Sequence, residues 1–227
     1  DIPNNATYKV IENITLDDER LIGVQDQVDE LKKIARYVSN PEIYDRSGSN
    51  LDKGILLIGP PGNGKTFCAQ ALAGTINKEM SKKGLSRRFS FRELKWHEIR
   101  WSSDGIKTMI EQAKRNAPCI LFIDEIHNLP LQTKEGSGDT LTEFLTGMSG
   151  INSENDSNYQ VIILAATNQA EMLDAALLRT GRFSTKIRFE KPNYQNRKKY
   201  FEVMLKRDAI DTTCIDIDSL VRQTEGC

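Results

Sequence analysis

Ile55-Leu-Leu-Ile58 is followed by Gly59-Pro60-Pro61-Gly62-Asn63-Gly64-Lys65-Thr66, and then by Phe67, Ala69, Leu72, Ala73 and Ile76 at helical spacing. A short apolar run, a glycine-rich turn and an amphipathic helix are the order in which the pattern G-x-x-x-x-G-K-[ST] carries chemistry. The glycines let the backbone curl so that successive N–H groups face inward. The helix beginning near Gly64 adds free N–H groups and the positive end of its dipole at the same point. Lys65 adds a full charge on a long stem, and Thr66 a hydroxyl for a hard cation. Such a turn cradles a polyphosphate with bound Mg²⁺.

Two more buried runs of strand length follow, Cys119–Ile123 and Val161–Ala166. Helical patterns flank them: Val24 to Val38, Ile106 to Ala113, and Leu141 to Met148. Arg88–Arg92 and Thr185–Phe189 alternate like strands, and the pattern is helical from Tyr194 onward. Alternating strands and helices with near-continuous apolar strands predict a parallel sheet covered on both faces. The stretches Gln132–Thr140 and Ser149–Gln160 read as polar, mobile loops.

The second strand ends in Asp124-Glu125. Acids at the end of an apolar strand need a partner to offset their desolvation. A cation beside the phosphates supplies one, with Asp124 serving the metal and Glu125 polarising an attacking water. The third strand ends in Thr167-Asn168, where an amide can hydrogen-bond that water or the terminal phosphate; an Asn at a strand end is also ordinary turn chemistry.

Composition agrees with a soluble globular protein. Among 227 residues, 31 Lys and Arg oppose 32 Asp and Glu, for a net charge of −1. That balance disfavours a coat for nucleic acid or anionic membrane. The basic cluster Lys82-Lys83 with Arg87-Arg88 reads as a solvated loop. No apolar run reaches the roughly 18 residues of a membrane helix. Four cysteines without C-x-x-C spacing indicate free thiols in a reducing compartment. His97-Glu98 lacks the second His of H-E-x-x-H, so it is no zinc protease site. The absence of Asn-Lys-x-Asp favours ATP over GTP.

Taken in order, these segments resemble the AAA+ ATPases, in particular the AAA subgroup and the ATPase core of FtsH-type proteases. The phosphate loop resembles their Walker A, Ile123-Asp124-Glu125 their Walker B, and Thr167-Asn168 their sensor 1. Leu173-Asp-Ala-Ala-Leu-Leu-Arg179-Thr-Gly-Arg182-Phe183 resembles the second region of homology. The resemblance implies a P-loop sheet flanked by helices over residues 1–191 and the beginning of a helical lid over 192–227. It implies Mg-ATP hydrolysis in a ring, as a hexamer, acting on a protein client. Thr66 and Asp124 would serve Mg²⁺; Glu125, Asn168, and the neighbour-directed Arg179 and Arg182 would act in catalysis. Ile22, Gly23, Pro61, Gly62, Asn63, Gly64, Lys65, Thr66, Phe67 and Tyr200 would contact nucleotide.

Departures from the pattern matter. The polypeptide-threading loop falls on Glu98-Ile99-Arg100 and lacks the family's aromatic and glycine, although Trp96 and Trp101 flank it. Met204 stands where many relatives have His. His127 replaces an acid and is read as structural or supporting rather than catalytic. The chain starts at Asp1 and stops at Cys227, and is read as a piece of a longer, cytoplasmic or membrane-anchored protein. The rival readings are an ATP-dependent interaction module without threading and a DNA-directed motor or loader.

Overall fold

The structure is a computed structural model that describes residues 8–40, 54–95, 98–99, 102–129, 140–153, 160–208 and 215–225. Six strands, β1 (Lys9–Val10), β2 (Gly54–Ile58), β3 (Ser90–Lys95), β4 (Cys119–Asp124), β5 (Val161–Thr167) and β6 (Thr185–Arg188), form one sheet in the order β1-β3-β4-β5-β2-β6. All neighbours are parallel except the edge pair β1 and β3. The helices are α1 (Gln25–Ser39), α2 (Lys65–Lys82), α3 (Ser103–Arg115), α4 (Thr140–Ser153), α5 (Tyr194–Arg207) and α6 (Ile217–Gln223).

Strand side chains alternate between two apolar layers, as a period of two requires. Ile55, Leu57, Ile120, Phe122, Ile162 and Leu164 join the layer under α1 and α2, with Val28, Leu31, Leu72 and Ile76. Leu56, Leu121, Ile123 and Ile163 join the opposite layer with Ile106, Met109, Phe144 and Phe183 of the other face. Both faces of the central strands are therefore dry, which explains why β4 and β5 are apolar without interruption. Offset aromatic stacks reinforce each layer: Phe91 on Phe122 at 6.2 Å and Phe144 on Phe183 at 6.3 Å.

The segment before α1 is laid along α2 by buried polar groups. Thr75 Oγ1 accepts from the Leu16 N–H at 2.8 Å. The Asn77 amide donates to Ile11 O and Phe89 O, and its carbonyl accepts from the Phe89 N–H at 2.7 Å. This clamp fixes the path that brings Ile22 and Gly23 to the phosphate-loop end of the sheet.

Three details differ from the sequence reading. The edge strand β1 is too short, at two residues, to leave a pattern. The alternating stretch near Arg88 becomes a strand only from Ser90. Ser149–Ser153 continues helix α4 rather than forming a loop. Ile151 falls three residues after Met148 and is buried, so it extends the apolar face, while Ser149 Oγ donates to Leu145 O at 2.9 Å. Gln132–Asp139 and 154–159, with Leu51 to Lys53, lie outside the described residues.

Candidate nucleotide site

The strand register brings the expected phosphate and water groups to one edge. Ile58 pairs with Thr167, and Lys95 with Asp124, so β2, β3, β4 and β5 end at a common level. The Gly59 N–H donates to Thr167 O at 3.0 Å, tying the loop to the end of β5. A Cβ on Gly59 would stand 2.3 Å from Phe189 O, so only glycine admits that carbonyl. Gly62 and Gly64 take positive φ of 78° and 79°. Gly64 caps α2 without any side-chain bond to its first turn. The opening N–H groups of the helix are thus free for an anion.

Lys65 folds back across this loop, its Nζ donating to Gly59 O and Pro60 O at 2.7 Å each. It is only 9% exposed. Burial lowers its pKa, and the nearby Asp124 carboxylate opposes that shift. A desolvated cation is thereby held on the loop, within the field of the acid. Thr66, half-buried, follows at once on the first turn of α2.

Asp124 closes β4 half-buried, and its Oδ1 accepts from the Glu125 N–H at 3.0 Å. Glu125 is exposed and has φ 54° and ψ 44°, the only left-handed non-glycine residue among those described. A left-handed L-residue costs roughly 1–2 kcal/mol, and such strain collects where a side chain must leave the strand direction. A 3₁₀ turn, Ile126–Asn128, follows, with Ile126 fully buried. Asn168 is exposed just beyond β5.

A cleft of about 570 Å³ continues from the loop. Eight of the ten expected nucleotide contacts line it: Ile22, Gly23, Pro61, Gly62, Asn63, Gly64, Phe67 and Tyr200. Lys65, Thr66, Asp124, Glu125 and Asn168 are not among the residues that line it. Met204 also lines it. Asn63 Nδ2 donates to Glu190 O at 3.0 Å, joining the loop to the stretch that leads into α5.

Several lining residues were not anticipated: Arg20, Asn196, Arg197, Phe201 and Arg207. Arg20 forks onto the Asp18 carboxylate at 2.8 and 2.7 Å and lies over the Phe67 ring, 4.6 Å from its centre. Arg197 donates to Pro192 O and to Val221 O, binding α5 to α6. No local pattern marks these residues, because each reaches the cleft through a tertiary approach.

Arg179 and Arg182 are placed elsewhere. The Arg182 carbonyl sits 2.3 Å from where a Cβ on Gly54 would be, at the start of β2. Four strand steps, about 13 Å, separate that position from the Ile58 end. Arg182 Nη1 donates to Ala176 O at 2.7 Å, whereas Arg179 is exposed. Neither arginine meets its own chain's cleft. Of the expected threading loop, Glu98 and Ile99 are described; Trp96, His97, Arg100 and Trp101 lie outside the described residues. In the basic cluster, Lys82 pairs with Glu79, Lys83 donates to Ser39 O and Asn40 Oδ1, and Arg88 pairs with Glu12.

Residues 55–191 match the family described as the ATPase family associated with various cellular activities (AAA). The chain is also similar to curated proteins. The ATP-dependent zinc metalloprotease FtsH of Parabacteroides distasonis is 38% identical over 214 residues, covering 90% of this chain and 29% of that protein. FtsH 1 of Thermomicrobium roseum is 34% identical over 222 residues, 94% of this chain and 32% of the relative. FtsH 2 of Thermoanaerobacter sp. (strain X514) is 35% identical over 218 residues, 94% and 40% respectively. The chain thus spans about a third of the length of these relatives.

Proposed function

This chain belongs to the AAA ATPase family, and from that premise we propose that it is the Mg-ATP-hydrolysing motor domain of a ring-forming protein that remodels or unfolds polypeptide. The observation that carries the reading is the placement of Lys65 within electrostatic reach of Asp124, at the mouth of a cleft built from loop and lid residues. ATP then lies with its base between the Ile22–Gly23 backbone and Tyr200, and its phosphates on the Gly59–Thr66 loop. This is the carboxyl end of the parallel strands, where open α/β sheets take ligands.

The donor set suits magnesium. Among the described residues no cluster of three or more His, Cys, Asp or Glu forms a protein cage. One hydroxyl, Thr66, and one carboxylate, Asp124, with phosphate oxygens and water, are what Mg²⁺ accepts. The bound ion would supply charge neutralisation across the phosphates. The chain's own groups do the rest. Lys65 and the α2 N–H groups hold the phosphates, Glu125 polarises the water, and Asn168 orients it against the terminal phosphate.

The remote position of Arg179 and Arg182 supports a role toward a neighbouring subunit, because they stand at the opposite end of β2 from their own phosphate loop. An arginine supplied from a neighbour contributes about 10³–10⁵ in rate. A ring, as a hexamer, is the closed assembly that gives every subunit such a neighbour. A polypeptide client is favoured over nucleic acid by the balanced charge, the locally paired basic cluster and the protease names of the relatives. Residues 192–227 act as the start of the lid that moves when ATP is spent. The thiols of Cys68 and Cys119, free and buried, suit a reducing compartment such as the cytoplasm. Among the described residues, no helix is long and apolar enough to cross a membrane.

Steady-state hydrolysis and nucleotide binding, measured side by side, test this reading. Glu125→Gln keeps Mg-ATP binding and abolishes turnover, and Arg182→Ala keeps binding but loses turnover in the assembled protein. Wild-type rates in either variant would refute the role assigned to that residue.

A further inference from the structure

Between the two groups assigned to the hydrolytic water runs a hydrogen bond that neither role requires. His127 Nδ1 and Thr167 Oγ1 are 3.1 Å apart. His127 lies two residues after Glu125, on the Ile126–Asn128 turn, and Thr167 immediately precedes Asn168 at the end of β5. Thr167 is 1% exposed, and its hydroxyl also accepts the Gln169 N–H at 3.0 Å. The same oxygen therefore fixes the backbone on the far side of Asn168. On the other side of the bond, the strained Glu125 is held by Asp124 Oδ1 on its N–H and by the Asn128 N–H on its carbonyl, both at 3.0 Å.

We infer that His127 is a positioning residue that latches the Glu125 turn to Thr167 and so sets the distance between Glu125 and Asn168. The inference rests on the hydrolytic roles of those two residues. Ile126, fully buried, and Leu129, nearly so, pin the two ends of the turn down into the apolar layer. His127, between them, adds the tie directed sideways to the next strand. The β4–β5 register, Cys119 with Val161 through Ile123 with Ala165, brings Glu125 level with Thr167 when carried on by two residues. One bond thus spans the level at which both polar side chains leave the sheet. A left-handed residue persists only where its surroundings over-determine it, and catalytic groups lose efficiency when displaced by about 1 Å.

The test uses the protein at its full natural length, with Mg-ATP. Wild type, Glu125→Gln, His127→Ala, His127→Asn, Thr167→Val and the double variant His127→Ala/Thr167→Val are compared in kcat, KM, nucleotide Kd and melting temperature. His127→Ala is expected to lower kcat about tenfold while KM and Kd stay within about twofold. His127→Asn, whose amide reaches the place of Nδ1, restores most of the rate. The double variant is no slower than Thr167→Val alone, since both remove the same link. The inference is overturned if His127→Ala turns over like wild type, if its kcat falls only in step with Kd and melting temperature, or if the double variant shows additive losses. A wild type that does not hydrolyse ATP, or a Glu125→Gln variant as fast as wild type, would instead sink the hydrolytic reading and this inference with it.

Discussion

Gly23 brings the segment before α1 against α5, and replacing it with alanine has a calculable effect. Its φ is +76°, and an added Cβ would lie 2.7 Å from Asn196 Nδ2 and 2.9 Å from both Cβ and Cγ of Asn196. The left-handed backbone costs an alanine roughly 1–2 kcal/mol. The contact costs more, because carbon pairs prefer about 3.5–4.0 Å. Asn196 cannot simply turn away: its own N–H is bonded to Asn193 Oδ1 at 2.9 Å in the first turn of α5, which fixes its Cβ. Relief therefore moves the helix by half an ångström or more, and overpacking of this kind costs about 1–3 kcal/mol. The sum, roughly 2–5 kcal/mol, predicts a melting temperature lower by about 4–20 °C for a chain of this size. Both residues line the cleft, so Mg-ATP affinity falls as well, by about 30-fold for each 2 kcal/mol transferred to the bound state. Gly84→Ala is the control: its φ is +71°, and an added Cβ meets nothing within 4 Å. It carries only the backbone cost. Thermal melts and equilibrium titrations of the two variants isolate the contact with Asn196. If Gly23→Ala melts no lower than Gly84→Ala and binds nucleotide like wild type, α5 does not pack against Gly23 through Asn196.

The buried thiols set an alkaline limit on stability. Burial pushes Cys68 and Cys119 up to about 12 from an ordinary value of 9.0. Thiols that stay neutral when folded but ionise when unfolded leave stability intact below pH 9 and remove it as pH rises toward 12. The slope is at most about 1.4 kcal/mol per pH unit for each thiol, read by denaturant melts between pH 8 and 11. Arg20→Ala removes the guanidinium over the Phe67 ring, a contact of about 0.5–1 kcal/mol where partly exposed. Folding stability should fall by about that amount with saturated turnover unchanged, read by denaturant melts; an unchanged midpoint would mean that the ring contact contributes nothing.

What the chain reveals before folding depends on whether a feature is local. The loop Gly59–Thr66 and the strands beside it announce themselves because positive φ, close approach and a dry sheet each demand particular residues at fixed steps. Asp124 and Glu125 are legible for the same reason, as charges ending an apolar run. The α5 side of the cleft is not. Asn196 and Arg207 reach it only because α5 packs back across the loop, and Arg20 only because Thr75 and Asn77 clamp its segment along α2. The two-residue β1 gives no period to detect, and Ser149–Ser153 looks like a loop until Ile151 is seen to bury. The bond from His127 to Thr167 joins residues forty positions apart, and no spacing rule connects them.

The central claim is that Lys65, the loop amides and Asp124 together form a site for magnesium-loaded triphosphate. Calorimetric titration of Mg-ATP into wild type and Lys65→Ala tests it most directly. Saturable one-to-one binding by wild type, weakened at least 100-fold in the variant, is the predicted result; equal affinity in the two proteins, or no heat from wild type at millimolar nucleotide, would contradict it.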